Sequence, residues 1–249
     1  MFKIGDYVTR NKYGNDILFK ITDIKGDQII LSGVDLRLYA DAKITDLTHS
    51  TYHKKKETVV INNLRTDEYF YVPGTILHLD SDKDYLKDCI NYYKKNKINY
   101  YGYIFNEKDY SKNIVNLIKK HNPNIVIITG HDAYYDNNKY KNSNYFIDTV
   151  KEIRKINKDI IIFAGACQSD YIGLIKAGST FSSSPKHINI HALDPAIIGV
   201  NIALTDKYES VNLEKIIEKT ECKKDGIGGI KTKGTMICGY PRGEKTESW

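Results

Sequence analysis

The stretch "NIVIITGHDAYY" runs from Asn124 to Tyr135, and a second stretch, "DIIIFAGACQSD", runs from Asp159 to Asp170. Each begins with an apolar run, passes through a turn of small residues and then presents one reactive side chain, His131 in the first and Cys167 in the second. Short apolar runs that alternate with helical patterns are typical of the buried strands of a parallel sheet. The two stretches therefore predict consecutive strands of one sheet, joined by a single helical crossover.

The same alternation extends through the surrounding sequence. Apolar runs predict four buried strands, at Gly74–Asp80, Tyr100–Phe105, Ile125–Thr129 and Ile160–Ala164. Helical patterns follow these strands, starting from Asp82 and spanning Tyr110–Asn122, Asn144–Ile156 and about Gln168–Ala177. Repeated strand–helix units indicate a mostly parallel sheet with helices on both faces, which is a three-layer α/β/α domain.

The beginning of the chain has a different pattern. Short β-branched stretches at Lys3–Arg10, Ile17–Gly26 and Gln28–Val34 are separated by turn residues, and "LRLYADAKITDL" continues the series. Several such strands in about 50 residues predict a small β-rich domain resembling an SH3-like barrel. We expect this domain at residues 1–50, a linker at 51–70 and the α/β domain at 71–249.

Composition limits the class of protein. The 249-residue chain has a net charge of +6, and its one dense basic cluster, His53–Lys56, lies next to the predicted linker. That cluster is interpreted as an exposed loop, so we expect neither a nucleic-acid nor a membrane partner. The start of the chain lacks the apolar core of a secretory signal, which predicts a protein that stays in the compartment where it is made. The four cysteines contain no C-x-x-C pair and are expected to be reduced thiols.

The ends of the two opening strands predict a catalytic pair. Right-handed crossovers make consecutive strands neighbours, and their carboxyl ends meet at one edge of the sheet. His131 and Cys167 then lie close enough for an imidazole to activate a thiol. Cys167 is also expected in the first turn of the following helix, where the helix dipole lowers the pKa of a thiol. The backbone amides of Gly130, Asp132 and Cys167 are candidate oxyanion donors, and the chemistry requires no metal and no organic cofactor.

At this point the sequence resembles a known family. A histidine after one apolar strand and an Ala-Cys after the next is the pattern of the caspase-like (clan CD) cysteine peptidases, although Gly130-His131-Asp132 departs from their usual His-Gly order. The segments "TGHDAYY", "NSNYFIDTVKEIR", "FAGACQSDYIGLIKAGSTFSSSPK" and "INIHALDP" are similar to the YabG family of sporulation-specific cysteine proteases. The resemblance implies a caspase-like domain in which His131 and Cys167 match the positions of the catalytic dyad.

The resemblance also implies a biological setting. It suggests cleavage of spore-coat and spore-surface proteins after arginine, with self-processing, in the mother-cell cytoplasm of a sporulating bacterium at the forming spore coat. An arginine-selective pocket needs a carboxylate for bidentate pairing. The candidates for the pocket are Asp80, Asp82, Asp132, Gln168, Asp170, His191 and Asp194. Asp132 is alternatively a third triad member that orients His131, and Asp194 is alternatively the N-cap of a helix that begins with Pro195.

Three other interpretations remain open on the residues alone. His187 and His191 fall on one face of an extended segment, where they form either a wall of the cleft or, less simply, part of a metal site. A binding module, made of a receiver-like α/β domain and an SH3-like domain, would use Asp80 and Asp82 as clustered acids. A small-amide amidohydrolase would use the same Cys167 and His131 pair.

Overall fold

The structure is a computed structural model that describes residues 2–52, 68–135 and 139–243. The chain divides into two compact units, Met1–Thr58 and Val59–Trp249. The basic cluster His53–Lys56 and most of the predicted linker at 51–70 lie outside the described residues.

The first unit is an antiparallel sheet of five strands. They are β1 (Tyr7–Arg10), β2 (Phe19–Lys25), β3 (Gln28–Gly33), β4 (Tyr39–Lys43) and β5 (Leu47–His49), in the order β4-β3-β2-β1-β5. Alternate residues of β3 are buried, among them Ile29 and Leu31, and they pack against Val8, Phe19 and Ile21 of the neighbouring strands. The β-rich start predicted from the sequence is confirmed, and its closure into an SH3-like barrel stays a prediction.

The second unit contains the remaining strands and all the α-helices of the described residues. The strands are β6 (Phe70–Val72), β7 (Ile76–Asp80), β8 (Tyr100–Ile104), β9 (Ile125–Ile128), β10 (Tyr134–Tyr135), β11 (Lys139–Tyr140), β12 (Ile161–Ala164), β13 (Phe181–Ser183), β14 (Ile227–Gly229) and β15 (Ile237–Gly239). The helices are α1 (Lys83–Lys95), α2 (Tyr110–His121), α3 (Ser143–Ile156), α4 (Tyr171–Ala177), α5 (Asp194–Ala203), α6 (Leu213–Ile217) and α7 (Lys223–Gly226). A short 3-10 turn, Glu107–Asp109, precedes α2.

A six-stranded sheet in the order β14-β13-β12-β9-β7-β8 forms the centre of the second unit. Its strands pair in parallel except for β14, which is antiparallel to β13. The chain passes from β7 to β8 on one side and then to β9 on the other, so the direction of winding reverses between β7 and β9. In open α/β sheets, ligand sites form beyond the carboxyl ends of the strands at such a switch point. The residues after β7 and β9 are therefore expected to form the functional site.

Both faces of this sheet are buried under helices. Along β9, Ile125 and Ile127 pack with residues of α1 and α5, whereas Val126 and Ile128 pack with residues of α2, α3 and α4. Successive side chains of a strand point to opposite faces, so an uninterrupted apolar run fits a strand covered on both sides. Each of these four side chains is fully buried, and such burial stabilises the fold by about 1.5–3 kcal/mol per side chain. The predicted mostly parallel sheet between helical layers is confirmed.

Two local predictions about helix starts are wrong. Helix α4 begins at Tyr171 and not near Gln168, because Gln168 adopts φ 56°, a left-handed conformation that an α-helix cannot include. The N-cap of α4 is Asp170, whose carboxylate accepts a hydrogen bond from the Gly173 amide. Asp194 is not an N-cap, since it lies within the first turn of α5 and its carboxylate accepts from amides elsewhere in the chain.

Several strands escaped the sequence patterns. Strand β13 is only three residues long, with two serines, and carries no apolar run. The small hairpin β10–β11 and strand β6, which pairs with β15, are also short. The Gly-rich segment near the end of the chain contains the strands β14 and β15, as the pattern allowed.

None of the described helices combines the length and apolar character that a membrane span requires.

Candidate active site

His131 and Cys167 lie at equivalent positions on neighbouring strands. Strands β9 and β12 pair in parallel, with Ile128 opposite Ala164 as the last pair. His131 follows Ile128 by three residues, and Cys167 follows Ala164 by three residues. The prediction that these two strands are neighbours and deliver both loops to one edge of the sheet is confirmed.

The His131 ring is surrounded by polar groups from the loops after β7 and β8. The Oγ atom of Ser81 lies 3.1 Å from Nδ1 of His131, and Oε1 of Glu107 lies 3.7 Å from the same nitrogen. On the opposite side of the ring, Oδ2 of Asp82 lies 3.8 Å from Nε2. The Tyr85 ring packs at a tilt nearby, with 6.0 Å between ring centroids. The His131 ring thus lies between the carboxylates of Asp82 and Glu107.

Glu107 anchors both the ring and the backbone of this loop. Its Oε1 accepts hydrogen bonds from the His131 amide at 2.9 Å and from the Ser81 hydroxyl at 2.6 Å. Burial raises the pKa of the Glu107 carboxyl, but the nearby His131 ring and the hydrogen bonds from Ser81 and the His131 amide lower it to about 2. The His131 amide is therefore already engaged by the Glu107 carboxylate.

Gly130 is needed because of this close approach. A Cβ atom at Gly130 would lie 2.7 Å from Oε1 of Glu107 and 2.8 Å from Oγ of Ser81, well inside normal contact distance. Any larger residue would push these two groups away from the histidine. The small residue before His131 therefore makes room for the polar cluster beside the ring.

The Asp132 carboxylate braces the loops around the site. Its Oδ1 accepts from the amides of Ala133 and Asn142 at 2.9 and 2.7 Å, and its Oδ2 accepts from the hydroxyls of Ser143 and Ser169. Burial raises the pKa of the Asp132 carboxyl, and these hydrogen bonds oppose that rise. The carboxylate beside Nδ1 of His131 is that of Glu107, whereas the Asp132 carboxylate accepts from Ala133, Asn142, Ser143 and Ser169.

Cys167 lies in a tight turn and is covered. Its side chain packs in the hydrophobic cluster that includes Phe181 and Ile190, and the residue is only 1% exposed. The Ile190 amide donates to Sγ of Cys167 at 3.3 Å. Because α4 starts at Tyr171, Cys167 is not in its first turn, and the expected lowering of the thiol pKa by that helix does not apply.

Gly165 and Gln168 shape the turn around the thiol. Gly165 has φ 115°, a conformation that favours glycine. The Gln168 amide donates to the Ile188 carbonyl and to Oγ of Ser184, and the Gln168 side-chain oxygen accepts from the Tyr134 amide at 3.1 Å. Gln168 therefore connects the turn that carries Cys167 to the loop that follows His131.

Two of the predicted pocket acids are fully buried in internal networks. Asp80 accepts from the Thr129 hydroxyl at 2.8 Å and from the Asp82 amide at 3.0 Å. Asp194 accepts from the amides of Glu221 and Cys222 at 2.8 and 3.1 Å, and burial raises the pKa of its carboxyl. Both residues are 0% exposed, so neither is placed to meet an arginine of a substrate.

Asp170 is a predicted pocket acid that remains partly exposed, and it lies three residues after Cys167. It caps α4, and its charge is felt at the hydroxyl of Tyr140, where burial together with Asp170, Tyr134 and Asp132 raises the pKa. The ring of His187 stacks on Tyr134 with 4.6 Å between centroids. The Asp170 carboxylate thus lies within electrostatic reach of the Tyr140 hydroxyl. Carboxylates and aromatic rings are the groups that suit a guanidinium ion.

The predicted histidine pair is divided between different partners. His187 stacks on Tyr134, whereas Nδ1 of His191 accepts from the Leu193 amide at 3.2 Å. Among residues 2–52, 68–135 and 139–243, no group of three or more His, Cys, Asp or Glu side chains is arranged to hold a metal ion. His187 and His191 are better described as parts of the loop wall around the Cys167 turn.

Two residues of the site were missed from the sequence, Ser81 and Glu107. Ser81 directly follows β7 and Glu107 follows β8 by three residues, so both lie at carboxyl ends of parallel strands. The same rule that selected His131 and Cys167 could have found them. The contribution of Glu107 depends on its reach across the end of β7, which requires the strand order to be known.

Comparison with known proteins identifies the family of the chain. The family described as YabG peptidase U57 matches residues 3–64 and 49–241, so the matched segments together span most of the chain. The sporulation-specific protease YabG of Bacillus subtilis (strain 168) is 39% identical over 284 residues, covering 96% of this chain and 98% of that protein. The chain therefore belongs to the YabG peptidase U57 family and is a peptidase.

A solved structure also shows some similarity. The receiver domain of the Francisella response regulator 1452 is 22% identical, with a TM-score of 0.38, over 53% of this chain and 96% of that one. A TM-score this low does not establish a shared fold. The family membership of the chain speaks against the receiver-like binding module.

Proposed function

We propose that this peptidase is a sporulation-specific cysteine endopeptidase whose nucleophile is Cys167 and whose general base is His131. One observation carries this proposal, which is that the two residues lie at matching positions on the paired strands β9 and β12. Membership of a peptidase family supplies the reaction class, and the name of the Bacillus subtilis relative supports the role in sporulation.

The reaction proceeds through a thioester. The imidazole of His131 takes the thiol proton of Cys167, and the sulfur forms a bond to the carbonyl carbon of the scissile peptide. The C–N bond then breaks as His131 gives that proton to the leaving amine. Water, deprotonated by His131, hydrolyses the thioester, and the proton returns to the sulfur. The amides of Cys167, Gly130 and Asp132 remain the proposed donors to the oxyanion.

The covered thiol requires one further step. Cys167 is 1% exposed and lies under the segment 187–191, whose Ile190 amide donates to its sulfur. We propose that an extended substrate displaces this segment and takes its place beside the sulfur. The stacked rings of Tyr134 and His187 and the partly exposed Asp170 are then available to a substrate side chain.

For specificity we propose cleavage after arginine in spore-coat and spore-surface precursors, with self-processing, in the mother-cell cytoplasm. Asp170 is the best supported partner for the arginine, because Asp80 and Asp194 are 0% exposed and already accept backbone or hydroxyl donors. We also propose that the antiparallel sheet of the first unit closes as an SH3-like barrel.

The decisive experiment compares purified wild-type protein with Cys167→Ala. Intact mass spectrometry should show self-cleavage of the wild-type chain and none of the variant, and a peptide containing arginine should be hydrolysed by the wild type only. Free glutamine serves as the control substrate, since its turnover would favour a small-amide amidohydrolase. If Cys167→Ala cleaves the peptide at the wild-type rate, the proposed nucleophile is wrong.

A further inference from the structure

The side of His131 that carries Nδ1 faces a partly buried serine, Ser81, and a partly buried glutamate, Glu107. The side chains of His131 and Glu107 are only 16% and 14% exposed. Between them lies the Ser81 hydroxyl, 2.6 Å from Oε1 of Glu107 and 3.1 Å from Nδ1 of His131. These two short distances form a continuous chain from the carboxylate through the hydroxyl to the ring.

The donor and acceptor in each of these two hydrogen bonds follow from counting the protons that Glu107, Ser81 and His131 can supply. The pKa of Glu107 is lowered to about 2, below any pH at which a peptidase is assayed, so its carboxylate accepts hydrogen bonds and donates none. A serine hydroxyl has one proton, and here the Ser81 proton goes to Glu107. For the 3.1 Å contact to be a hydrogen bond, Nδ1 of the neutral ring has to donate to the Ser81 oxygen, which puts the lone pair on Nε2.

We propose that Glu107 and Ser81 are positioning residues that hold His131 with its proton on Nδ1, so that Nε2 is the base. This inference rests on the proposed role of His131 in catalysis, and it deepens that role. The carboxylate of Asp82 lies 3.8 Å from Nε2, so negative charge is at hand when Nε2 takes up a proton. A wrong tautomer would present an N–H to the thiol and could not accept its proton.

The protein backbone keeps this chain of groups in place. The His131 amide donates to the same Oε1 atom of Glu107, which fixes the distance between the carboxylate and the loop. Asp82 is held as the N-cap of α1, where its Oδ1 accepts from the amides of Asp84 and Tyr85. Both carboxylates near the ring are therefore tied to main-chain groups, which limits how far the histidine can turn.

Kinetics of four variants test the positioning role. Glu107→Gln keeps the size of the side chain but loses its charge, Ser81→Ala removes the hydroxyl, and Ser81→Thr retains one. We expect Glu107→Gln and Ser81→Ala each to lower kcat about 10- to 100-fold with little change in KM, and Ser81→Thr to stay within about threefold of wild type. The double variant Ser81→Ala/Glu107→Gln should be no slower than the worse single variant, because Glu107 acts through Ser81.

A second measurement is independent of activity and of the identity of the nucleophile. In protein with ¹⁵N-labelled histidine and the Cys167→Ala substitution, imidazole nitrogen shifts report which ring nitrogen carries the proton, and His131→Gln assigns the signal. At neutral pH, we expect His131 to be protonated on Nδ1, and expect this preference to weaken with Ser81→Ala. If His131 carries its proton on Nε2, or if Glu107→Gln leaves kcat unchanged, the proposal is overturned. Retained activity in Cys167→Ala alone would contradict the nucleophile but not this tautomer.

Discussion

Oδ2 of Asp132 accepts a hydrogen bond from the Ser169 hydroxyl at 2.9 Å, which links the loop carrying His131 to the turn carrying Cys167. Ser169 in turn accepts from the Ala166 amide at 2.9 Å, next to the cysteine. Ser143, at the start of α3, donates to the same carboxylate oxygen and accepts from the Asp170 amide. One partly buried carboxylate thus links the two loops that carry His131 and Cys167.

Replacing Asp132 with asparagine should weaken both the fold and the activity. The amide group would place N–H donors where one carboxylate oxygen now accepts from hydroxyls or from the Ala133 and Asn142 amides. We expect the free energy of unfolding to fall by about 1–3 kcal/mol, as for the loss of a buried acceptor, with reduced kcat. Urea unfolding of the variant measures the first quantity and peptide hydrolysis the second.

Asp148→Asn on α3 is the matched control for that experiment, because the Asp148 side chain is 63% exposed. Its unfolding free energy should stay within about 0.5 kcal/mol of wild type. If both variants behave alike, Asp132 does not brace the site.

The lowered pKa of Glu107 predicts how stability depends on acid. Its ordinary value is 4.5 and its folded value is about 2, so the folded state favours the ionised form. The stabilisation is complete above about pH 5 and is lost as the pH falls towards 2, with an upper limit of about 3 kcal/mol. We expect Glu107→Gln, which does not titrate, to lose less stability than wild type between pH 6 and pH 3.

Chemical denaturation of wild type and Glu107→Gln at several pH values measures how the free energy of unfolding of each protein changes with acid. The Asp132 carboxyl acts in the opposite sense, because its raised pKa makes the folded state easier to protonate. The comparison of wild type with Glu107→Gln cancels that contribution, since Asp132 is present in both. Parallel curves of stability against pH for the two proteins would show that Glu107 does not cause the loss of stability in acid.

Gly165 in the turn before Cys167 should tolerate no side chain. Its φ of 115° disfavours other residues, and a Cβ atom would overlap Oγ of Ser183, which donates to the Ala166 carbonyl. Gly178 has a similar φ of 110°, but there the nearest atom to a Cβ would be Cγ of Arg154 at 3.0 Å, a milder contact than the overlap with Oγ of Ser183 at Gly165. We expect Gly165→Ala to lower the unfolding free energy by about 1–3 kcal/mol more than Gly178→Ala, through overpacking. Thermal or urea unfolding measures the difference, and equal losses would mean that the turn adapts.

Cys222 is predicted to be dispensable for catalysis although it lies near the proposed nucleophile. Burial, together with the Asp194 carboxylate and smaller effects, raises the pKa of the Cys222 thiol to about 12. At pH 8 only on the order of one molecule in 10,000 would carry its thiolate, which is the reactive form. We expect Cys222→Ser to retain at least about half of wild-type kcat, whereas Cys167→Ser loses at least about 1,000-fold. The reverse ranking in peptide hydrolysis would exchange the roles of the two cysteines.

Uninterrupted apolar runs were sufficient to predict strands such as β9 and β12, because these strands are buried on both faces and carry only apolar side chains. Their adjacency followed from the single helix between them. Local rules failed where long-range contacts decide the outcome. Asp194 resembles an N-cap in sequence, yet its carboxylate accepts hydrogen bonds from the amides of Glu221 and Cys222, which are 27 and 28 residues away. The role of Glu107 depends on β8 lying beside β7, which no short-range pattern encodes.

Asp170 should determine the preference for arginine. Asparagine is as good an N-cap as aspartate, so Asp170→Asn should keep helix α4 and its hydrogen bond from the Gly173 amide while removing the charge. Loss of a charge-assisted pair with a guanidinium predicts a fall of about 10- to 100-fold in kcat/KM for a peptide with arginine before the scissile bond. The matched peptide with an uncharged isostere, citrulline, should be affected less than about threefold, because its urea group forms no ion pair. Measuring kcat/KM for both peptides with wild type and Asp170→Asn, and with Asp148→Asn as the control, separates recognition from folding. An equal fall in kcat/KM for the two peptides would mean that Asp170 supports the Cys167 turn and does not bind the arginine side chain of the substrate.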